Sequence, residues 1–329
     1  MKIAIVKLSS LGDIVHSMVV LQFIKKHYPE SVIDWVVEKR FKGILENNLH
    51  INQIHTINIA KIKRDKSLKS LFIELSKIKN FGQYDVVIDL QGLIKSALVA
   101  KFISSRKIVG FDNNSIRERL ASYFYNQTVA INHNKNTIER YAKLISESLR
   151  IKITRDDITN KELYLFSKSK LLIPLTPYIV FVVGSTWEGK NYPKEKYIQV
   201  ANAIKKDCLV VWGNEQEKER AAWMSSESNY IQVMPKLSLD DLKHVISHAS
   251  LLIGNDTGPS HMAWALNRPS ITLFGPTPVE RSFQTPINKV LQSSSKIDYF
   301  KLDKNDFSIK EIKTSNIIKM ANDLLRDNI

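Results

Sequence analysis

The sequence has little cysteine and no long hydrophobic run. Its single cysteine, Cys208, cannot form an internal disulfide, and it lies in an apolar run that is typical of a buried strand. No stretch approaches the roughly 18 apolar residues that a membrane-spanning helix needs. Lys7 and Asp13 interrupt the apolar N-terminus too early for the core of a secretion signal. These absences predict a cytoplasmic protein in a reducing compartment.

Several sequence motifs are also absent. The first strand is not followed by a G-x-G-x-x-G loop, so a dinucleotide site has little support. There is no Asp-x-Asp pair of the kind that holds a metal ion beside a nucleotide, and we therefore expect neither a metal nor a cofactor. No recognisable nucleic-acid-binding motif occurs, and no short-period repeat or low-complexity tract is present.

The composition is that of a globular protein with an excess of positive charge. The 329 residues are 43% hydrophobic and 25% charged, and a chain of this length favours two domains of roughly 150 residues each. The net charge of +15 is uneven: residues 1–150 hold 24 basic against 13 acidic residues, and residues 151–329 hold 24 against 20. The first half therefore favours an anionic partner, and nucleic acid, anionic lipid and a phosphorylated substrate all remain open.

Short apolar strands alternate with helical patterns, which predicts doubly wound parallel sheets. The expected strands are residues 3–6, 33–37, 55–59, 85–90 and 107–109, and then 178–183, 209–212, 230–233, 250–254 and 270–274. The pattern restarts after a mixed segment that ends near two prolines. We therefore expect an N-terminal Rossmann-like domain at 1–170 and a C-terminal one at 171–329. The last stretch, residues 308–327, has helical spacing and is a candidate to pack back on the first domain.

Two such halves suggest a two-ligand enzyme. Ligands of open parallel sheets bind beyond the carboxyl ends of the strands, so two facing halves would make a cleft with one ligand on each side. Glycosyltransferases of the GT-B architecture use this arrangement, and so do some sugar-nucleotide epimerases.

Candidate chemistry follows the first strand. Gly12 permits a tight turn, Ser9 and Ser10 can bind an anion together with the first helical amides, and Asp13 stands at the expected mouth of the cleft. A carboxylate there could act as a general base. The alternative is that Asp13 only caps the helix.

The second half carries three polar loops, each after an expected strand. Ser185, Thr186 and Lys190 suit phosphate oxygens, although an exposed loop lysine is the plainer interpretation. Glu217 could accept hydrogen bonds from ribose hydroxyls or simply begin a solvated helix. The strongest motif joins cap residues, free helix amides and an imidazole at one strand–helix junction: Asp256, Thr257, Gly258 and His261.

A basic cluster follows the third strand. Lys61, Lys63, Arg64, Lys66 and Lys69 lie within nine residues, with only Asp65 opposing them. Such a run is often a solvated surface. Its place in the more basic half favours binding of an anion.

Together these segments closely resemble the bacterial lipopolysaccharide heptosyltransferases. The resemblance covers nearly the whole chain and rests on residues 6–13, the loop from Ser185 to Lys190, residues 213–217 and residues 256–261, in this order and spacing. Each segment alone is not specific. The resemblance implies a GT-B fold, an ADP-heptose donor, a Kdo–lipid A acceptor at the inner face of the cytoplasmic membrane, anomeric inversion and no required metal. We expect a monomer that contacts the inner membrane peripherally and binds no nucleic acid.

The resemblance also implies roles for individual residues. Asp13 matches the proposed general base, with Lys190 assisting departure of the leaving group. The expected donor contacts are Ser185, Thr186, Lys190, Glu217, Leu237, Asp256, Thr257, Gly258 and His261. The expected acceptor side comprises Ser9, Ser10, Gly12, Lys61, Lys63, Arg64 and Arg117. Ser185 stands where relatives often have threonine, and Leu237 where they can have methionine. The basic cluster is richer in lysine than in arginine, which binds phosphate in a different geometry.

Three rival interpretations remain. The isoelectric point of about 9.6 suggests a non-enzymatic nucleic-acid-binding protein, although the basic residues are spread over an enzyme-like α/β pattern. A sugar-nucleotide epimerase on the same fold would turn over the donor without a lipid acceptor. A type II heptosyltransferase would use another acceptor, although the residues 9–13 favour type I.

Overall fold

The computed structural model describes residues 1–65, 68–298 and 302–326, without the side chains of residues 62, 63 and 68–72. The chain divides into two compact units, Met1–Tyr164 and Leu165–Ile329.

Unit 1 is built on a parallel sheet. Its described strands are β1 Lys2–Val6, β2 Val32–Glu38, β3 Gln53–Ile57, β4 Gln83–Tyr84, β5 Val86–Asp89, β6 Ser104–Ser105, β7 Ile108–Phe111 and β8 Gln127–Val129. Six of them pair in the order β3-β2-β1-β5-β7-β8, and β4 pairs with β6 in a small separate sheet. Every pairing in the main sheet is parallel.

Helices connect these strands. They are α1 Leu11–Met18, α2 Val20–His27, α3 Lys42–Leu45, α4 Ile59–Asp65, α5 Leu68–Lys79, α6 Ile94–Phe102, α7 Thr137–Leu149 and α8 Arg155–Thr159, with 3₁₀ turns at Lys39–Phe41 and Arg119–Phe124. The segment between β1 and β2 forms two helices, α1 and α2, which are separated at Val19. The strand expected at 55–59 ends at Ile57, because α4 begins at Ile59.

Unit 2 repeats this plan. Its strands are β9 Ile179–Val182, β10 Cys208–Val211, β11 Ile231–Val233, β12 Leu251–Asn255, β13 Ser270–Phe274 and β14 Asn288–Gln292. Its helices are α9 Lys194–Ile204, α10 Glu215–Ser226, α11 Leu239–Ser247, α12 Gly258–Ala265 and α13 Thr314–Arg326, with 3₁₀ turns at Glu188–Lys190, Val279–Arg281 and Ser308–Glu311. The strand order β11-β10-β9-β12-β13-β14 is parallel throughout and equivalent to that of unit 1.

The C-terminal helix α13 completes the core of unit 2. It packs against α9, β12 and β13. Ile317, Ala321 and Leu324 recur at helical spacing, are buried, and belong to the same apolar cluster as the central strand residues Phe181 and Ile253. The helix is therefore part of this unit's interior.

The strand order fixes where ligands can bind. In a parallel sheet all carboxyl ends lie at one edge, and the helices leave toward opposite faces where the order reverses. The reversals fall between β1 and β5 in unit 1 and between β9 and β12 in unit 2. The residues after β1 and β5 are thus placed to form a site in unit 1, and those after β9 and β12 are placed to form one in unit 2.

Four strands were not expected from the sequence: β4, β6, β8 and β14. The strands β4 and β6 have only two residues each. The strands β8 and β14 are edge strands with polar residues and incomplete burial, so neither shows the apolar run of the central strands. In the described part of the chain, no helix is both long and apolar enough to cross a membrane.

Candidate active site

Asp256 lies at the centre of a buried polar cluster in unit 2. Its Oδ2 is 2.8 Å from the Lys190 ammonium nitrogen and accepts a 2.8 Å hydrogen bond from the Thr277 hydroxyl. Its Oδ1 lies 3.0 Å from Nε2 of His261. Asp256, Lys190 and His261 are all buried. The cluster therefore joins Lys190, from one predicted polar loop, to Asp256 and His261, from another.

The topology explains this meeting. Lys190 lies in the 3₁₀ turn that follows β9, and Asp256 directly follows β12, the neighbouring strand across the reversal. Thr277 follows β13, the next strand along. Three consecutive carboxyl ends thus supply the ammonium, the carboxylate and the hydroxyl.

The cluster keeps Asp256 ionised. Burial alone would raise the pKa of the Asp256 carboxyl, but the Lys190 charge, the hydrogen bond from His261 and the charge of Arg281 outweigh it. The pKa consequently lies well below its ordinary range. Since both carboxylate oxygens are occupied by side chains, Asp256 is suited to fix its neighbours in place. Lys190 has three N–H donors, so the pair leaves donors that can meet a ligand.

The start of α12 adds backbone donors beside this cluster. Thr257 is the cap residue and has an extended backbone, Gly258 is the first helical residue, and Pro259 follows. The first amides of a helix lack an intrahelical acceptor and carry positive partial charge, so they can bind an anion. Both Thr257 and Gly258 are partly exposed.

The loop after β9 holds the remaining hydroxyls. Thr186 is exposed, and Ser185 donates its hydroxyl to the Trp187 carbonyl at 2.8 Å. Both belong to the loop that leads to Lys190, so the structure brings these three together at one end of the sheet.

The Glu217 side chain lies close to Gly184 at the start of this loop. A Cβ atom placed on Gly184 would lie 2.1 Å from Cδ of Glu217, so glycine is what allows the carboxylate to approach. Its oxygens accept hydrogen bonds from the Gly213 amide at 2.6 Å and from Nδ2 of Asn214 at 2.8 Å. A carboxylate has about four acceptor sites, so capacity remains for hydroxyls of a ligand.

Leu237 lies farther along the same sheet. It is half-buried in the segment between β11 and α11. The neighbouring Lys236 bonds the Gly213 carbonyl and lies over the Trp212 ring, 4.5 Å from its centroid. An aromatic face and an apolar side chain thus follow adjacent strands β10 and β11.

In unit 1, Asp13 stands at the start of α1. Its Oδ2 accepts hydrogen bonds from the Ser10 hydroxyl at 2.7 Å and from the Ser10 amide at 3.2 Å. The carboxylate is partly exposed, and Gly12 beside it is buried. The capping interaction expected as the plainer interpretation is therefore present, and it fixes the carboxylate at the carboxyl end of β1.

The loop after β5 holds this segment in place. The Gln91 side-chain oxygen accepts hydrogen bonds from the Leu8 amide at 2.7 Å and the Ser9 amide at 3.1 Å. The Lys95 ammonium reaches the Ser9 hydroxyl at 3.3 Å. Two polar side chains that follow β5 therefore contact the loop after β1 at Ser9.

A buried lysine lies below the same loop. Burial acts to lower the pKa of Lys7, but Tyr141, Asp13 and Asp89 outweigh it and leave the pKa above its ordinary value. The ammonium bonds the Leu90 carbonyl at 3.3 Å. The Lys7 ammonium therefore places a buried positive charge near Asp13.

The basic acceptor-side residues are spread along the sheet edge. Lys61 and Arg64 are exposed on α4, which follows β3, two strands away from β1. The Arg64 Nε pairs with Asp65 at 3.3 Å, and the side chain of Lys63 lies outside the described residues. Arg117 is exposed after β7, two strands away on the other side.

The sequence alone missed several contributors. Thr277 and Arg281 act on Asp256, while Gln91 and Lys95 support Ser9. Each follows a strand next to one that carries an expected residue, so knowledge of the strand order is the signal that would have found them. In the described residues, no group of three or more His, Cys, Asp or Glu side chains could hold a metal ion.

Comparison with known proteins identifies the family. The profile of glycosyltransferase family 9 (heptosyltransferase) matches residues 76–306. The chain belongs to glycosyltransferase family 9. Lipopolysaccharide heptosyltransferase 1 of Campylobacter coli is 40% identical over 99% of this chain and 100% of its own length. As a family 9 member, the protein is a glycosyltransferase, a heptosyltransferase of lipopolysaccharide biosynthesis.

Solved heptosyltransferase structures share its fold. The structure of E. coli heptosyltransferase WaaC with ADP-2-deoxy-2-fluoro heptose matches with a TM-score of 0.80 at 25% identity, covering 98% of this chain and 99% of that one. E. coli ADP-heptose heptosyltransferase II matches with a TM-score of 0.72 at 19% identity, covering 99% of each chain. The fold class is accordingly GT-B, as expected from the sequence.

Proposed function

We propose that this protein transfers L-glycero-D-manno-heptose from ADP-heptose to a Kdo residue of Kdo–lipid A, with inversion at the anomeric carbon. The observation that carries the proposal is the buried Lys190–Asp256–His261 cluster beside the free amides of α12. The donor agrees with the ligand in the WaaC structure, an ADP-2-deoxy-2-fluoro heptose.

The donor side lies in unit 2. Lys190, held by Asp256, and the amides of Thr257 and Gly258 bind the diphosphate and stabilise the charge that grows on the departing ADP. Ser185 and Thr186 meet phosphate or sugar oxygens. Glu217 accepts from the ribose, as acidic residues after strands do in related nucleotide sites, and Leu237 packs on the base.

The acceptor side lies in unit 1. Asp13 takes the proton from the acceptor hydroxyl as that oxygen attacks the anomeric carbon, and the transition state has oxocarbenium character. Ser9, Ser10 and Gly12 shape the loop around it. The basic residues Lys61, Lys63, Arg64 and Arg117 bind the phosphates and carboxylates of the acceptor.

Type I specificity is the favoured assignment. The Campylobacter coli relative that is 40% identical across the full chain carries the name heptosyltransferase 1. The likeness to heptosyltransferase II, at 19% identity, concerns the fold alone. We further propose that the enzyme works as a monomer on the cytoplasmic face of the inner membrane.

One assay tests the whole proposal. The protein is incubated with ADP-heptose and Kdo–lipid A, and ADP release and lipid mass are followed together. Formation of ADP and of lipid heavier by one heptose supports it. Donor turnover without lipid would indicate an epimerase or hydrolase, and transfer only to an acceptor that already carries heptose would indicate type II.

A further inference from the structure

An exposed apolar surface lies on unit 1 where α6 packs against the 3₁₀ turn Arg119–Phe124. Leu120 and Tyr123 are 62% and 79% exposed. A 3₁₀ helix has three residues per turn, so side chains three apart share one face. Leu98 and Phe102 on α6 are also exposed and lie four residues apart, which places them on one face of that helix. We name the set Leu98, Phe102, Leu120 and Tyr123 the α6 patch.

The surroundings of the α6 patch are basic. Lys101 and Arg119 are exposed within the same two elements, and Arg117 is exposed just before the 3₁₀ turn. Arg106, also exposed, lies after α6 and 3.8 Å from the Asp85 carboxylate. Neither α6 nor the 3₁₀ turn contains an acidic residue. Glu118, just before the turn, accepts a 2.8 Å hydrogen bond from the Ile94 amide, so its charge is turned toward the start of α6.

Exposed leucine and aromatic side chains with lysine and arginine around them match the chemistry of an anionic bilayer. Apolar side chains enter the boundary between headgroups and acyl chains, and cationic ones remain at the phosphates. A protein partner of ordinary composition would not require this one-sided charge. The surface thus combines the two contributions that reversible membrane binding needs.

The α6 patch also continues into the proposed acceptor site. Lys95 in the first turn of α6 reaches the Ser9 hydroxyl at 3.3 Å, and Arg117 precedes the 3₁₀ turn. A bilayer seated on this face would present lipid headgroups at the carboxyl edge of the sheet, near Asp13.

We propose that the α6 patch is the membrane-docking surface of this enzyme and that its occupant is a bilayer containing anionic phospholipid. The link to acceptor delivery rests on the function proposed above. The docking of the α6 patch to a bilayer does not rest on that function, because vesicle binding is measured without donor or acceptor.

Two double variants test the surface by co-sedimentation with vesicles of phosphatidylglycerol and phosphatidylcholine. Leu120→Ser with Tyr123→Ser removes two patch side chains. Leu172→Ser with Leu175→Ser is the matched control, since both leucines are almost fully exposed in unit 2. The patch variant should partition at least about tenfold less than the wild type, because each buried apolar side chain contributes strongly. The control should partition like the wild type.

The basic residues beside the α6 patch are tested separately. Lys101→Gln with Arg119→Gln should remove the preference for phosphatidylglycerol over phosphatidylcholine vesicles and its salt sensitivity. All variants should keep wild-type urea unfolding and turnover on a water-soluble acceptor without acyl chains. Equal vesicle binding by the patch variant, or an equal loss by the control, would overturn the proposal. Self-association that the patch variant abolishes in sedimentation equilibrium would assign the surface to a second copy instead.

Discussion

The Lys190 ammonium and the Asp256 carboxylate lie 2.8 Å apart in a buried ion pair at the end of two neighbouring strands. Such a pair is costly to break on one side, because the remaining charge stays buried without compensation. The pair also fixes the cation at the point where the strand order reverses. Single variants of Lys190 and of Asp256, together with the double variant, therefore measure how strongly the two side chains depend on each other.

The first prediction concerns the stability of that pair. Asp256→Asn should lower the free energy of unfolding by about 3–5 kcal/mol, since it leaves the Lys190 charge unpaired. Lys190→Met should cost less, because His261 and Thr277 still contact Asp256. The double variant should be more stable than the sum of the single effects predicts, in a cycle measured by urea unfolding.

An exposed pair provides the control for this cycle. Lys218 and Glu215 lie 3.5 Å apart on the surface of the same unit. Their coupling should stay below about 1 kcal/mol. If the buried pair couples no more strongly than this one, the pair does not organise the site.

The second prediction separates catalysis from capping at Asp13. Asp13→Asn should lower kcat by about 10²–10⁴-fold while leaving ADP-heptose binding, measured by calorimetry, nearly unchanged. Ser10→Ala removes the 2.7 Å hydrogen bond to the same carboxylate and should cost about 1 kcal/mol of stability with little change in kcat. Equal losses of activity in the two variants would reduce Asp13 to a helix cap.

The third prediction uses the close approach of Glu217 to Gly184. Gly184→Ala should displace the Glu217 side chain, since the new Cβ would lie 2.1 Å from its Cδ. The donor KM should then rise about tenfold, as for Glu217→Ala, with little change in unfolding. Adding Gly184→Ala to Glu217→Ala should have no further effect on the donor KM.

A neighbouring glycine supplies the comparison. A Cβ on Gly213 would lie 3.3 Å from Oε2 of Glu217, a much milder contact. Gly213→Ala should consequently raise the donor KM less than Gly184→Ala does. If Gly213→Ala raises the donor KM more than Gly184→Ala does, Glu217 does not bind the donor through its contact with Gly184.

The fourth prediction concerns the basic residues of α4. Replacing Lys61, Lys63 and Arg64 by glutamine should raise the acceptor KM several-fold and leave the donor KM nearly unchanged, because several exposed cations act weakly together. Added salt should weaken acceptor use by the wild type more than by the variant. Steady-state kinetics on both substrates at two ionic strengths measure these effects.

Its control changes the same charge elsewhere in unit 1. Glutamine at Lys135, Arg150 and Lys152 removes three other exposed positive charges. This variant should keep the wild-type acceptor KM. If both triple variants raise it equally, overall charge and not the α4 cluster is responsible.

The fifth prediction is that transfer needs no divalent metal. Lys190 and the amides at the start of α12 provide the positive potential for the leaving group. Activity should survive excess EDTA. Complete loss with EDTA, restored by magnesium, would contradict this scheme.

The sequence predicted the central strands because they are continuous apolar runs, and it predicted the polar loops because each follows such a run. It did not predict the edge strands β8 and β14, whose polar residues show no such signal. It could not predict that Lys190 and Asp256 pair, because that contact depends on β9 and β12 being neighbours in the sheet. The local pattern of apolar residues predicts strands but not their order. The individual site residues remain predictions until the variants are measured.

The position of α13 has a consequence for synthesis of the chain. The strands and helices of unit 1 all precede residue 165, so this unit can fold while translation continues. Folding of unit 2 is completed later, because Ile317, Ala321 and Leu324 fill its interior and are translated after every strand of its sheet. That sheet therefore stays partly uncovered until α13 has left the ribosome. A premature stop codon even a few residues before Thr314 would then leave a protein with one finished half and one that proteases can attack.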